Sequence, residues 1–172
     1  MGEIIFILGG ARSRKSTYAL EIAKKLGKRV AFIATCVAGD SEMKRRIKLH
    51  RKKRPRHWKT FEVAFEPTSL LKTLTPKFDV VIIDCLTLMI SNLMLKGFKQ
   101  SVIEDRINEM LTILKKIKLQ SIIVSNEVGL GIVPENKLAR DFRDIAGKVN
   151  QLVTEKADRV FFMFSGIPLK IK

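Results

Sequence analysis

Cysteine, histidine, tryptophan and tyrosine are all scarce: two, two, one and one among 172 residues. Cys36 and Cys85 are too few for a disulfide framework and lack the spacing of a zinc site, so both read as small buried hydrophobes. No apolar run approaches the roughly 18 residues that a membrane span needs. No basic n-region, apolar h-region and cleavage site precede the first apolar run, so the expected location is cytoplasmic. No repeat, low-complexity tract or long linker divides the chain, which reads as one domain over residues 1–172. Acids are scarce too: 17 against 33 lysines and arginines, a net charge of +16. That excess suits a polyanion partner such as nucleic acid, but lysine-rich surfaces also serve solubility or thermal stability.

What is present is globular, with 46% hydrophobic and 29% charged residues. Apolar runs rich in β-branched residues at 4–8, 29–34, 80–84, 121–125 and 159–164 predict strands. Helical patterns at 16–26, 41–53, 86–96, 101–118 and 135–156 lie between them. The alternation predicts an α/β fold with a mainly parallel sheet, and the unbroken apolar strands require helices on both faces. Pro134 and Glu135 are placed at the N-terminus of the last helix. Its apolar face is read as Leu138, Phe142, Ile145, Val149 and Leu152, a core stripe without chemistry.

Chemistry begins where the first strand ends. Gly9-Gly10-Ala11-Arg12-Ser13-Arg14-Lys15-Ser16 follows that strand and opens a helix, the context of a G-x-x-x-x-G-K-[ST] phosphate loop. Loop amides and the helix N-terminus gather donors around an anion. Lys15 would reach the β and γ phosphates, and the Ser16 hydroxyl would sit on Mg²⁺. Arg14 occupies the place of the second glycine. A non-glycine residue in a left-handed conformation costs about 1–2 kcal/mol, which a domain tolerates. A side chain projecting into the phosphate volume would weaken or reshape the loop, whereas a guanidinium aimed at phosphate would add a ligand.

Asp84 ends the strand 80–84, the position from which a phosphate-loop protein holds Mg²⁺. Alone, it would equally serve as a cap for the following helix. The segment 41–58 is strongly basic, and Met43, Ile47 and His50 share one helical face within it. On that face His50 reads as a buried core histidine or as a nucleophile. A neutral imidazole attacks phosphorus readily, and surrounding cations would neutralise the departing pyrophosphate. His57, beyond Pro55, is the fallback nucleophile.

These residues belong to a longer pattern. It runs from the loop at 9–16 through Ile33-Ala34-Thr35 and Glu42-Met43, then Arg46-Ile47-x-x-His50-Arg51-x-x-Arg54-Pro55-x-x-Trp58-x-Thr60-x-Glu62. Asp84-Cys85-Leu86-Thr87 follows, then the block 125–136, beginning Ser125-Asn126-Glu127-Val128-Gly129, and finally 142–151 and Ser165-Gly166. The chain so resembles the bifunctional adenosylcobinamide kinase/adenosylcobinamide-phosphate guanylyltransferases of cobalamin biosynthesis, over nearly its whole length. The resemblance implies a RecA-like P-loop NTPase fold of three layers, usually assembled as a homotrimer. It implies phosphorylation of the aminopropanol hydroxyl of adenosylcobinamide by ATP or GTP, then transfer of GMP from GTP to that phosphate through a covalent GMP–histidine. His50 matches that histidine. By the same matching Gly9, Gly10, Ala11, Arg12, Ser13, Arg14, Lys15, Ser16, Ala34, Thr35, Cys36, Arg51, Lys52, Lys53, Arg54, Glu62 and Asp84 would contact nucleotide, with Ser16 and Asp84 at Mg²⁺. His50 and Lys15 are the catalytic candidates.

Arg14 departs from the family, which has glycine there, and the departure predicts that guanylyl transfer survives better than phosphoryl transfer. Two competing readings remain open on the residues themselves. One is a basic nucleic-acid-binding protein that keeps a degenerate nucleotide loop, supported by segment 44–59 with Trp58. The other is a small-molecule kinase with no covalent step.

Overall fold

The computed structural model describes residues 2–37 and 41–172; the side chains of Met43 and Arg46, and with them part of the helical face expected at 43–50, lie outside the described residues. In chain order the elements are β1 (Ile4–Gly9), α1 (Lys15–Leu26), β2 (Val30–Ala34), α2 (Ser41–Lys52), β3 (Lys59–Glu62), α3 (Thr68–Leu74) and β4 (Val80–Asp84). Then follow α4 (Leu86–Leu95), α5 (Gln100–Lys116), β5 (Gln120–Val124), α6 (Lys137–Lys156), β6 (Arg159–Phe164) and β7 (Ile167–Lys170). The strands form one sheet in the order β3-β2-β4-β5-β1-β6-β7. All neighbours pair in parallel except β6 with β7.

Side-chain alternation along each strand sorts the apolar residues into two layers. Ile4, Phe6 and Leu8 of β1, with Ile33, Val81, Ile83 and Ile123, pack under α3, α4, α5 and α6. Ile5 and Ile7, with Val30, Phe32, Ile82 and Val124, pack against α1 and Trp58. The result is the three-layer α/β arrangement that continuous apolar strands demand. No described helix is long and apolar enough to cross a membrane.

Three elements escape the periodicity of the sequence. β3 lies at one edge with exposed and half-buried residues, so no apolar run marks it. β7 lies at the other edge, fully exposed, and tolerates Pro168 because an edge strand leaves one side of its backbone free. α3 has only seven residues, of which Leu71 and Leu74 are buried. β6 turns into β7 through Ser165 and Gly166, at φ 47° and 95°, the doubly left-handed pair of a tight hairpin.

α6 corrects its expected start. The N-cap is Asn136, whose side chain accepts a hydrogen bond from Ala139 N at 3.2 Å, so Pro134 and Glu135 lie outside the helix. Their carbonyls instead accept from the Arg140 guanidinium, at 2.9 and 2.5 Å. The buried face is Ile145, Ala146, Val149, Asn150 and Val153, and Leu138 is exposed. Lacking an acid in its first turn, the helix relies on the asparagine cap.

Candidate active site

The carboxyl ends of β1, β2, β4 and β5 lie at one end of the sheet, which collects the candidate residues there. Gly9 has φ 148°, and a Cβ there would approach Met163 O to 2.7 Å, so glycine is needed where β1 turns. Arg12 and Arg14 both take left-handed conformations, at φ 56° and 68°. Arg14 stands at the N-cap of α1. Lys15 is buried, and its Nζ donates to Gly10 O at 2.5 Å and to Ser13 Oγ at 3.4 Å. Burial holds its pKa below the ordinary lysine value of 10.5, against the opposing pull of Cys85 and Asp84. An ammonium satisfied only by a loop carbonyl and a hydroxyl is available to a phosphate.

Asp84 closes β4. Burial raises its pKa; a hydrogen bond from the Ser16 hydroxyl and the positive fields of His50, Arg54 and Lys15 work against that rise. Ser16, at the start of α1, therefore faces Asp84, although β5 separates β1 from β4 in the sheet. Hydroxyl, carboxylate, phosphate and water oxygens are the donor set Mg²⁺ prefers, so these two residues fit that ion. Among the described residues no cluster of three or more His, Cys, Asp and Glu could hold a metal by itself.

The end of β2 is bolted to this point. Thr35 N donates to Asp84 O at 3.2 Å, and Thr35 Oγ1 both donates to Cys85 O at 2.7 Å and accepts from Cys85 N at 2.9 Å. Asn92 Nδ2 donates to Thr35 O at 2.9 Å, fixing the same turn from α4. Ala34, Thr35 and Cys36 therefore flank Asp84. Cys85 is buried as expected, its thiol pushed up to about 11 by burial; Cys36 is only half-buried.

His50, in the last turn of α2, is exposed, which corrects the reading of it as a core histidine. Arg54 is half-buried, its guanidinium 3.5 Å from the centre of the Phe32 ring, with Thr60 Oγ1 at 3.3 Å. Burial lowers its pKa, so the cation is costly where it stands and suits an anion brought to it. Arg51 pairs with Glu62 at 4.0 Å. Arg51, Lys52 and Arg54 also line a cavity of about 570 Å³ with Pro55, Arg56, Trp58 and Thr60. The Lys52 and Lys53 side chains are exposed. His57 is exposed, beyond Pro55.

Glu127 was given no role by the sequence. Its N–H donates to Gly9 O at 3.1 Å, directly behind the phosphate loop. The segment is held by Thr87 Oγ1, which accepts from Asn126 N at 2.7 Å and bonds Ser125 Oγ at 3.2 Å. Asn150 Nδ2 donates to Asn126 O at 3.2 Å. An acid just past the end of a buried strand, the signal that marked Asp84, was present here as well.

Element order and sheet topology together define a RecA-like P-loop fold. The RadB recombinase superposes with a TM-score of 0.55 at 16% identity, covering 94% of this chain and 74% of that one. A second solved structure, the ATPase domain of another protein, gives 0.54 at 15% identity, covering 94% of this chain and 69% of that one. Within that class, residues 5–171 match the family described as cobinamide kinase / cobinamide phosphate guanyltransferase, and the chain belongs to it. The bifunctional adenosylcobalamin biosynthesis protein CobP of Pseudomonas aeruginosa is 43% identical over 96% of this chain and 95% of its own. The corresponding CobU proteins of Salmonella typhimurium and Escherichia coli are 37% and 38% identical, each over 98% of this chain and 99% of their own.

Proposed function

We propose that this protein phosphorylates the aminopropanol hydroxyl of adenosylcobinamide and then transfers GMP from GTP to the new phosphate. The observation that carries the reading is the convergence on Asp84. The Ser16 hydroxyl, Lys15, Arg54 and His50 all bear on its carboxylate. A loop lysine, an oxygen pair suited to Mg²⁺ and an exposed imidazole are thus grouped about one carboxylate. Family membership favours this enzymatic reading over nucleic-acid binding by the basic surface.

In guanylyl transfer a nitrogen of His50 attacks the α-phosphorus of GTP. The bond to the α–β bridging oxygen breaks and pyrophosphate leaves, steadied by Lys15 and the arginines after α2. The substrate phosphate then attacks the P–N bond, releasing the imidazole and forming the diphosphate link. Ser16 and Asp84 would hold Mg²⁺, which would supply charge neutralisation in both half-reactions. Gly9 to Ser16 bind the phosphates in this reading, and Ala34 to Cys36, Arg51 to Arg54 and Glu62 border the rest of the nucleotide. A homotrimer in the cytoplasm, acting on a corrinoid with GTP or ATP as donor, completes the proposal as one domain over residues 1–172. The test is incubation with GTP labelled at the α-phosphate. An acid-labile, base-stable label on the protein that is discharged by adenosylcobinamide phosphate is expected; an unlabelled protein that still phosphorylates the corrinoid would show a kinase without the covalent step.

A further inference from the structure

Three displacements at phosphorus make up the proposed reactions, and they differ in what the nucleophile must lose. A neutral imidazole attacks with a free lone pair, and a phosphate monoester attacks with an oxygen already ionised. Only the aminopropanol hydroxyl carries a proton that must leave as its bond to phosphorus forms. The kinase half alone therefore calls for a general base.

Two carboxylates follow the sheet strands nearest the phosphate loop. Asp84, at the end of β4, is engaged by the Ser16 hydroxyl and suits the metal position. Glu127 follows β5, the strand between β4 and β1, and its backbone N–H is bonded to Gly9 O at 3.1 Å. Glu62 stands on β3, at the far edge of the sheet, and faces Arg51. β6, the other neighbour of β1, ends in Met163 and Phe164 and offers no acid.

The surroundings of Glu127 suit a working base. Its backbone is fixed by Gly9, while the hydrogen bonds of Thr87 and Asn150 to Asn126 hold the preceding residue. Its carboxylate accepts one hydrogen bond, from Gly129 N in its own loop at 2.8 Å. Among the described residues no lysine or arginine pairs with it, so nothing ties it to a structural cation. The chain just after it exposes the apolar residues Leu130, Ile132 and Val133.

Building on the functional reading above, we propose that Glu127 is the general base of phosphoryl transfer, accepting the proton of the acceptor hydroxyl between the phosphate loop and Asp84. The hydroxyl oxygen bonds the γ-phosphorus and the bond to the β–γ bridging oxygen breaks. The nucleoside diphosphate leaves, and the proton passes to a carboxylate oxygen of Glu127 and then to water.

The test compares Glu127→Gln, Glu127→Asp and wild-type full-length protein in two assays. One follows phosphorylation of adenosylcobinamide from a γ-labelled triphosphate. The other follows covalent labelling from α-labelled GTP without acceptor. Glu127→Gln retains an oxygen for Gly129 N–H, so the loop keeps its bond. Its kcat for phosphorylation is expected to fall about 100-fold or more, with nucleotide KM and the rate of covalent labelling unchanged. Glu127→Asp is expected to restore part of the rate. Equal losses in both assays would mean a structural role and overturn the proposal, as would undiminished phosphorylation by Glu127→Gln. Wild-type protein unable to phosphorylate the corrinoid would overturn the functional reading and the base with it.

Discussion

The side chain of Arg14 lies across Gly166, so close that a Cβ on that glycine would come within 2.9 Å of Arg14 Cδ. Gly166 is in the β6–β7 turn, beside the phosphate loop because β6 pairs with β1. The departure from the family's glycine is thus taken up in two ways. The backbone accepts the left-handed conformation at φ 68°, and the side chain passes to the neighbouring turn. The steric part of the expectation that Arg14 weakens phosphoryl transfer falls away with that placement.

Arg14→Gly is expected to leave both half-reactions within about threefold of wild type, or about 0.7 kcal/mol in activation energy. Gly166→Ala should do more, because alanine at φ 95° costs about 1–2 kcal/mol and its methyl group displaces the arginine. Raised nucleotide Kd in Gly166→Ala, partly recovered in the double variant with Arg14→Gly, is the calorimetric signature. A large gain in kinase rate from Arg14→Gly alone would return the blame to the loop.

Covalent labelling by α-labelled GTP should vanish in His50→Ala and persist in His57→Ala. His50 bears on Asp84, whereas His57 is exposed beyond Pro55. Label lost from His57→Ala and kept by His50→Ala would reassign the nucleophile.

Lys15 makes nucleotide binding sensitive to alkaline pH. Its pKa in the folded protein lies below 10.5 because it is buried. Between that lowered value and 10.5 the unfolded chain holds more protons, so stability without nucleotide rises with pH across the window. Binding runs the other way, since phosphate restores the ammonium. Affinity should fall as pH climbs through the lowered pKa, with proton uptake on binding visible by calorimetry in buffers of different ionisation enthalpy. Lys15→Met should bind weakly and take up none.

Asp79 gives an acid-side prediction remote from the site. The Arg29 guanidinium and backbone N–H bond its carboxylate, at 2.5 to 3.1 Å, and hold its pKa at about 2 against 3.8. Its contribution is complete above pH 3.8 and is lost as pH falls through about 2. Urea denaturation of Asp79→Asn should show lower stability than wild type at pH 7, the two converging near pH 2. A constant difference across that range would place the effect elsewhere than in the ionised carboxylate.

The legible parts of the fold were those with strong periodicity. The five buried strands and five longer helices leave unbroken apolar runs or 3.6-residue stripes. β3, β7 and α3 left neither, since an edge strand is specified by its partner's backbone and a seven-residue helix by the core it caps. Pro134 and Glu135 imitated a helix start because a proline followed by an acid is a local signal, and Asn136 supplied the cap that the amides used.

By itself the sequence determined the class of chemistry. The loop at 9–16, an acid at the end of strand 80–84 and a histidine among cations are local signatures, and their spacing along the chain carries the family. Which groups meet was decided only by the sheet order. It brings Ser16 towards Asp84, sets Glu127 just past the strand between β1 and β4 and passes the Arg14 side chain to Gly166, through contacts between residues up to about 150 positions apart. Strand order follows from packing two helical layers against one sheet, and no short window of sequence contains it.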